Sequence, residues 1–127
     1  MKETLSSFMK SVGNAVDGFV FALKTQSHMR FHLFAAICVV SLGLFLQISS
    51  SEWLFLSLAV AMVWICELFN TALETLCDEV TEEYSKRIKV SKDLGAAATL
   101  VASGFAVIVG CMIFLPKLKE AVLSHWF

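Results

Sequence analysis

Glu67, Asn70, Glu74 and Asp78 are the side chains of this sequence whose types and spacing best suit chemistry. Their spacings of 3, 4 and 4 put all four on one face of a helix turning about 100° per residue. The run that holds them, Met62 to Asp78, is apolar at its start and gains carboxylates further on. Carboxylates are costly in hydrocarbon, so three on one stripe of a membrane-bound helix point to a functional site. Water-exposed helices usually balance such a stripe with Lys or Arg four residues on. No base occurs between Met62 and Tyr84. A bound cation is the alternative counter-charge, which points to a metal-and-phosphate site.

The elements that must position these residues follow from hydropathy. The 127 residues are 57% hydrophobic with a mean hydropathy of +0.75, a composition that fits a membrane protein of one domain. Three long apolar segments stand out: 31–48, the segment that opens at Trp53, and the uncharged run from Leu94 to Leu115. Each approaches the ~20 residues needed to cross a ~30 Å hydrocarbon core. The expected fold is therefore all-α and membrane-integral, with spans at 31–48, 53–82 and 91–115. The second helix is longer than the core, so its acidic half is expected to emerge among headgroups, with Glu67 deepest and Asp78 close to water. Opposite it, the third helix opens with Ser91-Lys92-Asp93-Leu94-Gly95-Ala96-Ala97-Ala98. Small residues of this kind let helices approach closely, and Lys92 and Asp93 are expected at the depth of Asp78. Pro116, the single proline, is expected to stop the third helix.

Before the first span, Leu5, Met9, Val12, Val16, Phe19 and Leu23 recur at alternating spacings of 4 and 3, with polar residues on the other side. Residues 1–29 thus read as an amphipathic helix for the membrane interface, or one packed on its own chain, and the two are compatible. The segment lacks the compact apolar core of a secretory signal. Bases cluster before the first span and again at Lys86, Arg87, Lys89 and Lys92, while the link 47–52 has none. The positive-inside rule then puts the N-terminus and the second link in the cytoplasm and the C-terminus outside, with Lys117 and Lys119 as a mild counter-argument.

Other features carry bland readings. Cys38, Cys66, Cys77 and Cys111 stand singly and read as packing residues. Asn70 also suits an interhelical hydrogen bond, and Lys92 also suits snorkelling. Glu79, Glu82 and Glu83 read as a solvated helix end, and His28 with His32 as a basic pair near headgroups. The sequence has no nucleic-acid footprint. It also has no G-x-x-x-x-G-K-[ST] loop, which excludes a P-loop fold but not phosphoryl transfer, whose needs are positioning, a metal and positive charge.

The run Glu67-Leu-Phe-Asn70-Thr-Ala-Leu-Glu74-Thr-Leu-Cys-Asp78 resembles the pattern E-x-x-N-[ST]-A-[IL]-E-x-x-x-D of the prokaryotic diacylglycerol kinase family. Glu83-Tyr84, Lys92-Asp93, Met29-Arg30-Phe31-His32-Leu33 and Ile113-Phe114-Leu115-Pro116-Lys117 are similar to flanking pieces of its undecaprenol kinase-like branch. The resemblance covers about Phe8 to Lys117. It implies a homotrimer in the bacterial inner membrane that moves the γ-phosphoryl group of ATP, with Mg²⁺, to the hydroxyl of a membrane lipid. By resemblance, Glu67 is the general base, Asn70 sits at the reaction centre and Glu74 ligates the metal. Lys92 and Asp93 contact the nucleotide, Glu83 lies in a nucleotide-binding loop, and Asp78 supports the site. Undecaprenol is favoured over diacylglycerol on the branch alone.

One position departs from the pattern. The family has a metal-ligating glutamate before the first span, in a stretch like T-E-x-N-x-R-x-H-L, and this sequence has Gln26 there. An amide oxygen can still ligate Mg²⁺ but brings no charge. Two other readings fit the same residues. A small oligomeric channel or proton-coupled carrier would line a polar pathway with Glu67 and Glu74, although Trp53 to Cys66 offers only Ser57 to continue it. A catalytically weakened member acting as a lipid or nucleotide sensor would rest on Gln26.

Overall fold

The computed structural model describes residues 2–80 and 83–126. These form four helices: α1 (Lys2–Thr25), α2 (Ser27–Phe45), α3 (Ser50–Val80) and α4 (Lys86–Trp126). The last three are long and apolar enough to cross a membrane. The expected end of the second span at residue 82 lies outside the described residues, as does Met1.

Each corner has a local cause. Gln26 is extended (φ −103°, ψ 119°) and separates α1 from α2 by a single residue. Arg30 reaches back from α2, its guanidinium donating to the carbonyls of Leu23 at 3.0 Å and Lys24 at 3.2 Å. Those carbonyls end α1 and have no partner within it. The α2 end adopts a left-handed closure at Gln47 (φ 51°). The amide of Ile48 donates to the Gly43 carbonyl at 3.2 Å and that of Gln47 to Leu44 at 3.3 Å, the bond pattern of a Schellman cap. Gly43 is required here, because a Cβ would meet the Trp53 ring at 2.9 Å and Ile48 at 3.1 Å.

Helix α3 then opens with a capping box. The Ser49 amide donates to Glu52 Oε2 at 2.6 Å, and the Glu52 amide donates to Ser49 Oγ at 3.4 Å, so two otherwise orphaned donors are satisfied reciprocally. Helix α3 has 31 residues, about 46 Å at 1.5 Å per residue, and exceeds the hydrocarbon core as its composition requires.

Helices α3 and α4 form an antiparallel hairpin: Lys92 at the start of α4 pairs with Asp78 near the end of α3, and Lys117 pairs with Glu52 at 3.3 Å at the opposite end. Along α4, Gly95, Thr99, Ala102, Ala106, Val109 and Ile113 are all buried or half-buried. Their alternating 4 and 3 spacing is the seam of a left-handed helix pair. Ile48, Leu56, Ala59, Val109, Ile113 and Phe114 make the tightest cluster, at the end away from the acidic stripe. Helix α2 lies against α3, with Gly43 on Trp53 and His32 near Glu67. Helix α1 is joined to the rest at its C-terminal half, where Ala22 is buried and Phe19 packs on Trp64 with ring centroids 5.4 Å apart.

The structure corrects several expectations. Pro116 does not end the last helix, which runs through it to Trp126. Proline removes one helical hydrogen bond, at about 3 kcal/mol in a helix interior. Beyond the proline, the Lys117–Glu52 ion pair ties the helix to α3, and a continued helix keeps the remaining backbone groups satisfied near an apolar phase. The first span begins earlier than residue 31, at Ser27, and α4 earlier than 91, at Lys86. Most large apolar side chains face outward: Phe34, Phe45, Phe69, Leu100 and Met112 are each more than 60% exposed. Outward apolar faces of this extent suit a chain whose solvent is lipid.

Candidate active site

The acidic stripe lies on the second half of α3, and burial falls along it. Glu67 is 5% exposed, Asn70 and Glu74 are half-buried, and Asp78 is exposed. Three turns of one helix therefore present the same chemical group in three different environments.

Glu67 is not left without a partner. Its Oε1 lies 3.1 Å from Nε2 of His32, which reaches across from α2. His32 thus points into the protein and not to headgroups, whereas His28, one turn earlier, is exposed. The sequence did carry a signal: His32 opens an otherwise apolar span, and a polar group at that depth must find a partner. The partner lies 35 positions away in the chain, so helical spacing alone does not reveal it.

One turn along, Asn70 Nδ2 donates to Glu74 Oε1 at 3.3 Å. Its Oδ1 is buried with no hydrogen-bond partner. Gly95 brings the α4 backbone against this amide, since a Cβ there would collide with Asn70 Oδ1 and come within 3.2 Å of Leu73. The small-residue opening of α4 thus meets the stripe at Asn70. Asp78 receives an ion pair from Lys92, and Asp93 is held by Lys89 at 2.6 Å on an exposed face. Lys92 of α4 thus supplies one of the counter-charges missing from α3's own sequence, and His32 of α2 supplies Glu67 with a polar partner. Among the described residues, Glu74 alone of Glu67, Glu74 and Asp78 forms no ion pair.

The other predicted residues lie apart. Gln26 is half-buried at the α1–α2 break, and no hydrogen bond joins it to Glu74 among the described residues. Glu83 is exposed in the link before α4. Among the described residues no three His, Cys, Asp or Glu side chains gather as a complete metal cage. Glu74 is turned to the Nδ2 side of Asn70, Oδ1 lying against Gly95, and a single carboxylate still suits Mg²⁺, which is commonly held by one or two carboxylates together with phosphates. Beside the stripe, α2, α3 and α4 enclose an apolar cavity of about 450 Å³. It runs from His32 past Ala36, Ala59 and Ala106 to Phe114.

Comparison with known proteins identifies the family. A family profile described as prokaryotic diacylglycerol kinase matches residues 13–114, a range that contains the whole stripe. The undecaprenol kinase of Bacillus subtilis is 33% identical over 92% of this chain and 95% of its own length. A diacylglycerol kinase of Synechocystis is 37% identical over 84% of this chain, which spans 61% of that protein. The diacylglycerol kinase of Escherichia coli K12 is 29% identical over 83% of this chain and 86% of its own. With an acidic stripe graded from buried to exposed on a membrane-length helix and a profile match over most of its length, the chain belongs to the prokaryotic diacylglycerol kinase family.

Proposed function

We propose that this protein transfers the γ-phosphoryl group of ATP to the hydroxyl of undecaprenol in preference to diacylglycerol, with Glu67 as the general base. Family membership carries the coarser statement that it is an ATP-dependent lipid kinase of the undecaprenol or diacylglycerol type. The observation that supports the finer reading is the burial of Glu67 against His32, a residue that lines the apolar cavity, one helical turn from Asn70 and two from Glu74. A lipid hydroxyl can reach a carboxylate there while its chain stays in apolar surroundings. Alignment with the undecaprenol kinase over nearly all of both chains supports that lipid.

The hydroxyl oxygen attacks the γ-phosphorus, the bond to the β–γ bridging oxygen breaks, and Glu67 accepts the hydroxyl proton. ADP and a lipid monophosphate leave. Phosphoryl transfer depends mainly on alignment and on neutralising charge. Glu74, oriented by the Asn70 amide at the reaction centre, would hold Mg²⁺, and Gln26 would add a neutral oxygen by family resemblance. When bound, the ion supplies charge neutralisation on the phosphoryl oxygens. Lys92 and Asp93 line the nucleotide side, Asp78 holds Lys92, and Glu83 belongs to the nucleotide loop. The assembly is a homotrimer in a bacterial inner membrane, with the N-terminus and the α3–α4 link in the cytoplasm.

The test is transfer of labelled γ-phosphate from Mg-ATP to undecaprenol and to diacylglycerol in mixed micelles. Glu67→Gln is expected to lower kcat by at least ~100-fold, the usual scale of a lost general base, with ATP binding retained. Glu74→Gln is expected to abolish transfer through the metal. Equal activity of native chain and Glu67→Gln would overturn the base assignment, and faster transfer to diacylglycerol would overturn the substrate.

A further inference from the structure

The mechanism above leaves His32 without a role, although among the described residues it is the one side chain in polar contact with Glu67 from another helix. Both side chains are largely shut from solvent, at 15% and 6% exposure, with Nε2 and Oε1 3.1 Å apart. Among the described residues no second side-chain hydrogen bond or ion pair reaches the Glu67 carboxylate. One of its oxygens is therefore partnered and the other is not.

A buried carboxylate with one donor is incompletely satisfied, and a substrate hydroxyl is a group able to complete it. General-base efficiency depends first on geometry, since the accepting oxygen must lie within hydrogen-bond reach of the proton it takes. A glutamate has three side-chain torsions, and nothing on α3 itself is seen to restrain this one. His32 is itself well placed to supply that restraint. The Phe31 ring packs edge-on to its imidazole, with centroids 5.6 Å apart and planes at 71°. Two residues earlier Arg30 clamps the start of α2 onto the end of α1, and Met29 beside it is fully buried.

We propose that His32 is a positioning residue for Glu67. Its Nε2–H donates to Oε1, restrains the carboxylate and leaves Oε2 to accept the proton of the lipid hydroxyl. His32 touches neither the nucleotide nor the phosphates and acts through Glu67, so this inference rests on the assignment of Glu67 as base. Because His32 also lines the apolar cavity, it sits where the chain-binding space meets the acid.

The test compares His32→Leu and His32→Phe, which keep apolar bulk and lose the donor, with His32→Gln, which keeps an N–H donor on a side chain of similar reach. Initial rates are measured against both ATP and lipid in mixed micelles. The donorless variants are expected to lose about 10- to 100-fold in kcat, the scale of a lost orienting partner, with KM for ATP unchanged. His32→Gln is expected to recover most of that loss. On a Glu67→Asp background, His32→Leu is expected to add little, because residues that act as one unit are not additive.

Full kcat in both donorless variants would overturn the proposal. So would equal losses in Leu, Phe and Gln variants, or a full additional loss on the Glu67→Asp background, since each describes a packing role. A native rate in Glu67→Gln would instead remove the base assignment itself, so the two failures are distinguishable.

Discussion

Three carboxylates within twelve residues of one helix end up with different partners, and this division decides what each can do. Glu67 meets an imidazole in an apolar surrounding, Asp78 meets an ammonium near water, and Glu74 is left with an amide and an orphaned oxygen beside it. Among the described residues Glu74 alone of the three is left without an ion-pair partner, which leaves its charge for the divalent ion of the proposed mechanism. Gln26 bears on the same point, because a neutral oxygen stands where the family pattern has a carboxylate. Gln26→Glu is expected to lower the Mg²⁺ concentration needed for half-maximal transfer, read from a Mg²⁺ titration at saturating ATP. An unchanged or higher requirement would show that residue 26 is no ligand in this chain. Spacing made the stripe legible at this scale. It did not reveal His32, because helical periodicity relates positions on one helix only.

At the scale of the elements, the site depends on how closely α4 approaches α3. Gly95 permits that approach at Asn70. Gly95→Ala is expected to force the helices or the amide apart, costing about 1–3 kcal/mol of stability and most of the transfer activity, measured by thermal unfolding and by the phosphate assay. Retention of both would mean that the amide swings away freely. The α2–α3 corner offers a test of opposite sign. Gln47 holds a left-handed conformation that costs a residue with a Cβ roughly 1–2 kcal/mol. Gln47→Gly is expected to stabilise the chain by up to about 1 kcal/mol without changing kcat, and a fall in the unfolding temperature would contradict this account. The capping box at Ser49 and Glu52 was not read from the sequence, although it is a local S-x-x-E string before an apolar run. The continuation of α4 through Pro116 was not legible there, because the Glu52 that holds Lys117 lies on another helix.

For the whole molecule, the unresolved balance is surface. Leu5, Met9, Val12 and Val16 of the α1 stripe are all exposed, and the outward faces of α2, α3 and α4 are apolar. Lipid covers such faces, and α1 is suited to lie along the interface. A stripe bearing Glu74 and Asp78 is better shielded by another helix than by acyl chains, which supports the proposed trimer. Light scattering with detergent correction is expected to give three times the 14.0 kDa chain mass. A monomer that retains full activity would rule out any need for a second copy at the site.

The sequence alone determined the all-helical membrane class and the acidic stripe, since those follow from hydropathy and from a repeat of 3.6 residues within one helix. It also brought out the family, because the stripe and its flanking pieces are local strings. Tertiary structure alone decided which partner each acid receives: His32 for Glu67, Lys92 for Asp78, and the α4 backbone at Gly95 against Asn70. Those pairings depend on how three helices are rotated and shifted against one another. That is set by the packing of small and large side chains along the α3–α4 seam and at Gly43 and Trp53, and no periodicity within a single helix encodes it.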